Sequence, residues 1–232
     1  MIADTIGVGG ALRRPDPFAR LHIRGTAGGP VDLCGHALTP VNLSTVAGYL
    51  GPALQFPGSP ESLTIGSVGD FDFLHSMSGT RYSIAFFYDL NLSSAGSPDI
   101  LTTNDGDPGI LGFELWFNQP SRRATVYVNN AAGQTVVALN SSTNSLPTSG
   151  RHYFVYTYDH SLGSANGKMY LDGTLIGSGG KQAATPSTSQ AGLSTHFGSI
   201  SDGSNGAVGT FEEIRIWDGL AIDGTIVPLR RF

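Results

Sequence analysis

The residues of this chain that could do chemistry are oxygen donors in loops and one tryptophan near two arginines. The segment Asn104-Asp-Gly-Asp-Pro-Gly109 offers Asn104, Asp105 and Asp107 as hard donors of the kind calcium takes, and Asp202-Gly-Ser-Asn205 offers a second, smaller set. Both segments read equally as turns, because Asn and Asp side chains bond their own backbone and tolerate positive φ. With no complete EF-hand spacing, the turn is the preferred reading. No cofactor is expected, and calcium is the one candidate. Trp116, followed by Arg122 and Arg123, has the makings of a carbohydrate-binding set: an indole stacks on a sugar ring while guanidinium groups fix hydroxyls. The competing reading packs Trp116 against the rest of the fold or against a neighbouring subunit.

Catalytic constellations are missing. Only Glu61, Glu114, Glu212 and Glu213 supply glutamates. Glu212 and Glu213 are adjacent, so on a strand they should face opposite ways, and Glu114 has no carboxylate at i+2 or i+4. There is no Gly-x-Ser-x-Gly elbow, HExxH pair or phosphate-binding loop. The six histidines are scattered, and Cys34, the single cysteine, reads as a small core hydrophobe. The expectation is a protein that is not an enzyme.

The elements that must position these residues are strands. Charged residues are 13% of the chain against a usual quarter, whereas the 32 Gly and 13 Pro make up about a fifth, a turn-rich β composition. Tyr82, Ile84, Phe86, Tyr88, Leu90 and Leu92 share one parity opposite Arg81, Ser83, Asp89 and Asn91, with Phe87 the exception on that face, predicting a half-buried strand over 82–92. Leu111, Phe113, Leu115 and Phe117 repeat the pattern and leave Glu114 and Trp116 on the less buried face. Further strands are expected over 53–56, 62–65, 125–129, 134–139, 152–158, 167–171, 174–177 and 210–218, a spacing that suits a sandwich. Asp172-Gly173 should close a tight type I′ hairpin. Trp217 is expected in the core, and the low-complexity segments 140–150 and 178–191 on the surface. Residues 1–20, with glycines followed by Pro15 and Pro17, read as an arm preceding a domain over 21–232.

Three blocks carry a family resemblance. Gly150-Arg-His-Tyr-Phe-Val-Tyr-Thr-Tyr-Asp159 with Gly167-Lys-Met-Tyr-Leu-Asp-Gly-Thr-Leu-Ile-Gly177, Pro52-Ala-Leu-Gln-Phe-Pro-Gly58 with Leu63-Thr-Ile65, and Gly209-Thr-Phe-Glu-Glu-Ile-Arg-Ile-Trp-Asp218 resemble, in order, the laminin-G-like, concanavalin-A-like jelly roll. The resemblance covers about 21–226 and implies an all-β, two-sheet antiparallel sandwich. It also implies that His152 stands where relatives carry a structural histidine. The glucanases of this fold set Glu-x-Asp-x-x-Glu on one strand, and no segment here has it. Leu21-His-Ile-Arg-Gly25, Val31-Asp-Leu33 and 46–54 are similar to the form of the domain found in bacteriophage and prophage virion proteins.

That second likeness implies a structural virion component, a capsid decoration or a tail or fibre protein, partnered by virion proteins and copies of itself. On this reading Ile2, Ile6, Leu12, Arg13 and Arg14 would anchor the arm to a neighbour. A lectin-like module recognising a cell-surface glycan is the alternative, and a hydrolase with an unrecognised site is a third class. A formal charge of −5 without a basic cluster argues against nucleic acid, and no apolar run reaches the ~20 residues of a membrane span. The first ten residues lack a signal-peptide pattern, which fits synthesis in a host cytoplasm and a place in the virion.

Overall fold

The computed structural model describes residues 18–76, 81–92, 97–104, 110–189, 192 and 194–225. The arm residues Ile2, Ile6, Leu12, Arg13 and Arg14, and Asp105 and Asp107 of the first acidic loop, lie outside the described residues. Arg20 is already tied to the body of the fold, its N–H donating to the Ile216 carbonyl at 2.7 Å.

Strands run β1 (Leu21–Thr26), β2 (Gly29–Asp32), β3 (Leu38–Val41), β4 (Ser44–Ala47), β5 (Pro52–Pro57) and β6 (Ser62–Ile65), followed by the one-turn helix α1 (Phe73–Ser76). Then come β7 (Arg81–Leu90), β8 (Asp99–Thr102), β9 (Gly112–Asn118), β10 (Arg123–Asn129), β11 (Thr135–Asn140) and β12 (Arg151–Asp159). β13 (Gly167–Leu171), β14 (Thr174–Gly179), β15 (Thr195–Phe197) and β16 (Val208–Asp218) complete the fold. One sheet has the order β14-β13-β12-β7-β16-β1-β2, with β5 also on β16 and β4 on β5; the other has the order β11-β10-β9-β8-β15-β6-β3. The expected two-sheet antiparallel sandwich is thus what forms. Strands β1 to β4, β8 and β15 are short or weakly alternating, so pairing with their neighbours defines them rather than periodicity. Among the described residues no helix is long and apolar enough to cross a membrane.

The inter-sheet core is aromatic. Phe86 of β7 sits with its ring centroid 5.4 Å from Phe154, 5.6 Å from Phe211, 5.7 Å from Phe197 and 6.3 Å from Phe117, so rings of both sheets meet on it. Edge-to-face and offset geometries of this kind add to the gain from burial, about 1.5–3 kcal/mol for each large apolar side chain.

The strand over 81–90 is not half-buried, as its alternation suggests. Ser83, Ala85 and Phe87 on its outer face are as buried as their inward neighbours, because a second cluster of Leu50, Tyr153, Val155, Tyr170 and Trp217 covers them. Trp217 is therefore buried outside the inter-sheet core. The chain after β16 helps make this cover, with the Ser83 hydroxyl donating to the Leu220 carbonyl and accepting from the Ile222 N–H, both at 2.9 Å. The segment 140–150 also departs from expectation. Leu146 is fully buried in the main core, and Ser142, Asn144 and Leu146 donate backbone bonds to Ile176, Ser121 and Arg122, so one leucine draws a polar loop inward. Cys34 is only half-buried, in a turn whose shape comes from Asp32 accepting the N–H groups of His22, Cys34 and His36.

Glu212 and Glu213 do not face opposite ways. Glu212 pairs with Phe87 and Arg215 with Ala85, so β16 carries one residue more than β7 there, and Glu213 takes the left-handed φ of 52°. The bulge turns both carboxylates to the outer face. Glu213 meets His22 Nε2 at 2.9 Å, Arg24 Nε at 2.5 Å and Arg215 Nη2 at 2.8 Å. Burial alone would raise its pKa, but the hydrogen bond from His22 and the two guanidinium groups outweigh it and hold the carboxyl at about 2. Glu212 accepts the N–H groups of Tyr49 and Leu50 at 3.1 and 2.7 Å and pairs with Arg151.

The Asp172-Gly173 hairpin forms as expected, with φ of 48° and 80° and Leu171 paired to Thr174. Asp172 also accepts the Tyr153 N–H at 2.8 Å and holds His152 Nδ1 at 2.7 Å, the structural place expected for that histidine. Gly173→Val should destabilise the fold by about 1–3 kcal/mol, since a β-branched residue is strained at this φ. Denaturant unfolding of the two proteins checks it; equal midpoints would contradict this account of the turn.

Candidate functional site

The pleat of β9 and β10 builds the site. Phe113, Leu115 and Phe117 point into the core together with Ala124, Val126 and Val128, all fully buried, so Glu114, Trp116, Arg123, Thr125 and Tyr127 face outward. Trp116 pairs with Thr125 and Glu114 with Tyr127. That register sets the Trp116 and Tyr127 rings on a diagonal, with centroids 5.0 Å apart and planes tilted by 30°. Both rings are half-buried. Beside them the Thr125 hydroxyl donates to Asn140 Oδ1 at 2.8 Å. Arg123 lies on the same face, and its buried Nε has no hydrogen-bond partner among the described residues.

Arg122 does not join them. The turn between β9 and β10, in which Ser121 N–H donates to Asn118 Oδ1 at 3.0 Å, puts Arg122 at a φ of 45°. Its guanidinium then reaches along the next loop to Asn144 Oδ1, at 3.0 Å from Nε and 2.7 Å from Nη2. Of the three residues proposed from sequence, Trp116 and Arg123 share a surface and Arg122 props a loop. Tyr127 was missed, although its parity with Thr125 on a recognisable strand is a signal that could have found it.

Glu114 is only 6% exposed rather than on an open face. β8 lies alongside, pairing Asp99 with Trp116 and Thr102 with Glu114. Asp99, itself buried, accepts from Asn205 Nδ2 at 3.0 Å and shares a hydrogen bond with the Glu114 carboxyl. Burial raises the Asp99 pKa, to about 6, against the opposing effect of those two bonds. So the second carboxylate that the spacing along β9 does not provide comes from the neighbouring strand. A polar row continues across the sheet through Thr102, His196, Thr64 and Thr39, which pair in that order.

Of the first acidic loop, Asn104 is described: it is buried, and the Thr102 hydroxyl donates to its carbonyl at 2.7 Å and to Oδ1 at 2.8 Å. In the second, Ser204 N–H donates to Asp202 Oδ1 at 2.7 Å and Asn205 has a φ of 53°, the geometry of an ordinary Asx turn. Among the described residues, no group of three or more His, Cys, Asp or Glu is placed to hold a metal ion.

The order and antiparallel pairing of the two sheets define a jelly-roll sandwich. The chain belongs to the concanavalin A-like lectin/glucanases superfamily, whose laminin G model matches residues 67–223. Comparison with curated proteins finds no match. Among solved structures, the chain is similar to the binding domain of botulinum neurotoxin serotype D, with 12% identity and a TM-score of 0.64 over 88% of this chain and 49% of that one. The binding domain of Paraclostridial Mosquitocidal Protein 1 gives 12% identity and a TM-score of 0.66, over 89% and 50%. A structure of botulinum neurotoxin type C, described as needing interaction with two ganglioside molecules to get into cells, gives 13% and 0.64, over 88% and 48%. The chain therefore spans about half the length of these solved chains, and at such identities the likeness is one of fold.

The raised pKa of Asp99 has a consequence for stability. A carboxyl that binds its proton more tightly folded than unfolded stabilises the fold below its unfolded value near 4 and loses that contribution as pH rises through about 6. Wild-type unfolding free energy should therefore fall by roughly 1–3 kcal/mol between pH 4 and pH 7 relative to Asp99→Asn. Denaturant titrations of both proteins across that range test it; parallel profiles would refute it.

Proposed function

We propose that this domain is a non-catalytic carbohydrate-binding module that attaches its carrier to a cell-surface glycan. The observation that carries the reading is the Trp116–Tyr127 pair, two half-exposed rings 5.0 Å apart on a face that also presents Arg123 and Asn140. A sugar ring laid on the indole would bury its CH face there, with its hydroxyls within range of amide and guanidinium groups. The family includes lectins, and the similar solved structures are toxin binding domains, one of them tied to gangliosides. These likenesses support a binding role without naming the sugar.

The carboxyl arrangement favours binding over hydrolysis. Glycosidases separate their two carboxyls by about 5 Å or more, leaving room for the bond to be cut or for a water. Asp99 and Glu114 are both buried, and Asp99 is already held by Asn205, so neither carboxyl is presented to a glycosidic bond. Calcium would be at most an accessory to the loop that contains Asn104, Asp105 and Asp107.

For the carrier we propose a bacteriophage-like virion, supported by the likeness of residues 21–54 to that form of the domain, with the arm before Ala19 as the link to a neighbouring copy or virion protein. Removal of residues 1–17 should leave a folded domain that no longer incorporates into particles. Electron microscopy of particles assembled with the truncated protein reads the outcome, and normal incorporation would overturn this placement.

On a glycan array, Trp116→Ala should lose at least tenfold in affinity for whatever the wild type binds, while Arg122→Ala should change binding little. Equal binding by Trp116→Ala would remove this face as the site.

A further inference from the structure

On the opposite side of the sandwich lies a cleft of about 310 Å³ that the Trp116 face does not involve. Tyr156 and Met169 point into the inter-sheet core, so their neighbours Thr157, Lys168 and Tyr170 form the outward floor. One wall is the turn between β12 and β13, with Asp159, Leu162 and Asn166; the other is the strap 221–223 that follows β16. The strap is clamped by Ser83 and lies flat on Tyr170, since a Cβ on Gly224 would fall 2.2 Å from the tyrosine ring. Both walls are thus held by the fold.

The polar groups of this cleft are incompletely used. Asn166 is 2% exposed; its Nδ2 donates to the carbonyls of Asp159 and Leu162, but its buried Oδ1 has no partner among the described residues. A buried acceptor left without a donor costs about 1–3 kcal/mol, so it signals a group that something else completes. Lys168 makes no ion pair within 4 Å among the described residues. Asp223 Oδ1 is occupied by the N–H and hydroxyl of Thr225, leaving Oδ2 open, whereas Asp159 is spent on Ser161 and Arg81. A ligand that donates to Asn166 and Asp223 and accepts from Lys168 would complete these groups.

We propose that this cleft is a second binding site, for a single neutral sugar residue. Hydroxyl groups donate and accept at once, as Asn166, Asp223 and Lys168 together demand. The volume is at the lower end of the roughly 300–1,000 Å³ of small-molecule sites, room for one ring rather than an oligosaccharide. Ile222 and the 41%-exposed Leu162 give the ring an apolar surface to rest on. Arg81 neutralises Asp159 and Lys168 faces Asp223, so the cleft has no surplus positive charge with which to hold an acid such as sialic acid or phosphate.

The test titrates the full chain, by heteronuclear NMR, with methyl glycosides of glucose, galactose, mannose, N-acetylglucosamine and N-acetylgalactosamine, and with sialic acid and inorganic phosphate. At least one neutral glycoside should bind and shift the amides of Thr157, Asn166 and Lys168. Lys168→Ala, at a half-exposed position, and Asp223→Ala, at an exposed one, should each weaken it at least tenfold, and Trp116→Ala should leave it unchanged. No binding by any neutral glycoside, or binding indifferent to both cleft substitutions, overturns the proposal. So does preference for sialic acid or phosphate at these amides. Binding lost only in Trp116→Ala would place the sugar on the other face, rejecting this site while leaving the proposed function standing.

Discussion

The extra residue in β16 governs much of what surrounds it. At Glu213 the strand changes partners, from β5 along its first half to β1 along its second, while keeping β7 on its other side. A regular strand could not do this and also present two successive carboxylates to one face. The left-handed φ at Glu213 is strained for a side chain with a Cβ, and the ion pairs to His22, Arg24 and Arg215 offset that strain. Glu212 meanwhile reaches the backbone of 49–50, so the loop that covers the outer face is anchored through a carboxylate on the closing strand.

From that anchor follows the difference between the two outer faces. The first sheet is roofed: Arg151 lies 3.9 Å from the Phe87 ring centroid and 4.4 Å from that of Tyr49, and the strap after β16 seals Ser83 and Trp217. A roof made of separate pieces leaves a gap where they do not meet, and the cleft at Thr157 and Lys168 is that gap. The second sheet is covered less completely around β9 and β10, so Trp116 and Tyr127 stay partly open while Asp99 and Glu114, one strand over, are buried. Within one sandwich, incomplete coverage yields both a flat aromatic platform and a concave polar site.

The two surfaces differ in what they can recognise. Stacking on Trp116 and Tyr127 rewards the apolar face of a sugar ring and tolerates variation in its hydroxyls. The cleft makes specific demands through Asn166 Oδ1, Asp223 and Lys168, so it would discriminate. Set on opposite faces of the sandwich, the two would engage separate sugars, one permissively and one selectively.

Alternation of residue type, turn chemistry and the order of three motif blocks determined the all-β sandwich, the 171–174 hairpin and the buried rings of β7, β9 and β12, because pleat and turn geometry are local properties. The same local logic placed Trp116 outward. It failed where a neighbour in space decides: Ser83 and Phe87 are buried by a strap and a loop distant in sequence, and Arg122 is drawn away by Asn144. Asp99 meets Glu114 only because β8 pairs with β9, and the bulge at Glu213 reverses a rule that assumes regular strands. Sequence by itself thus determined which residues could line a face, since period two is written in the chain. Tertiary structure alone decided which of those faces are covered, which carboxylates are neighbours and where a cleft remains, since these depend on contacts between segments far apart in the chain, such as His22 and Glu213, separated by 191 residues.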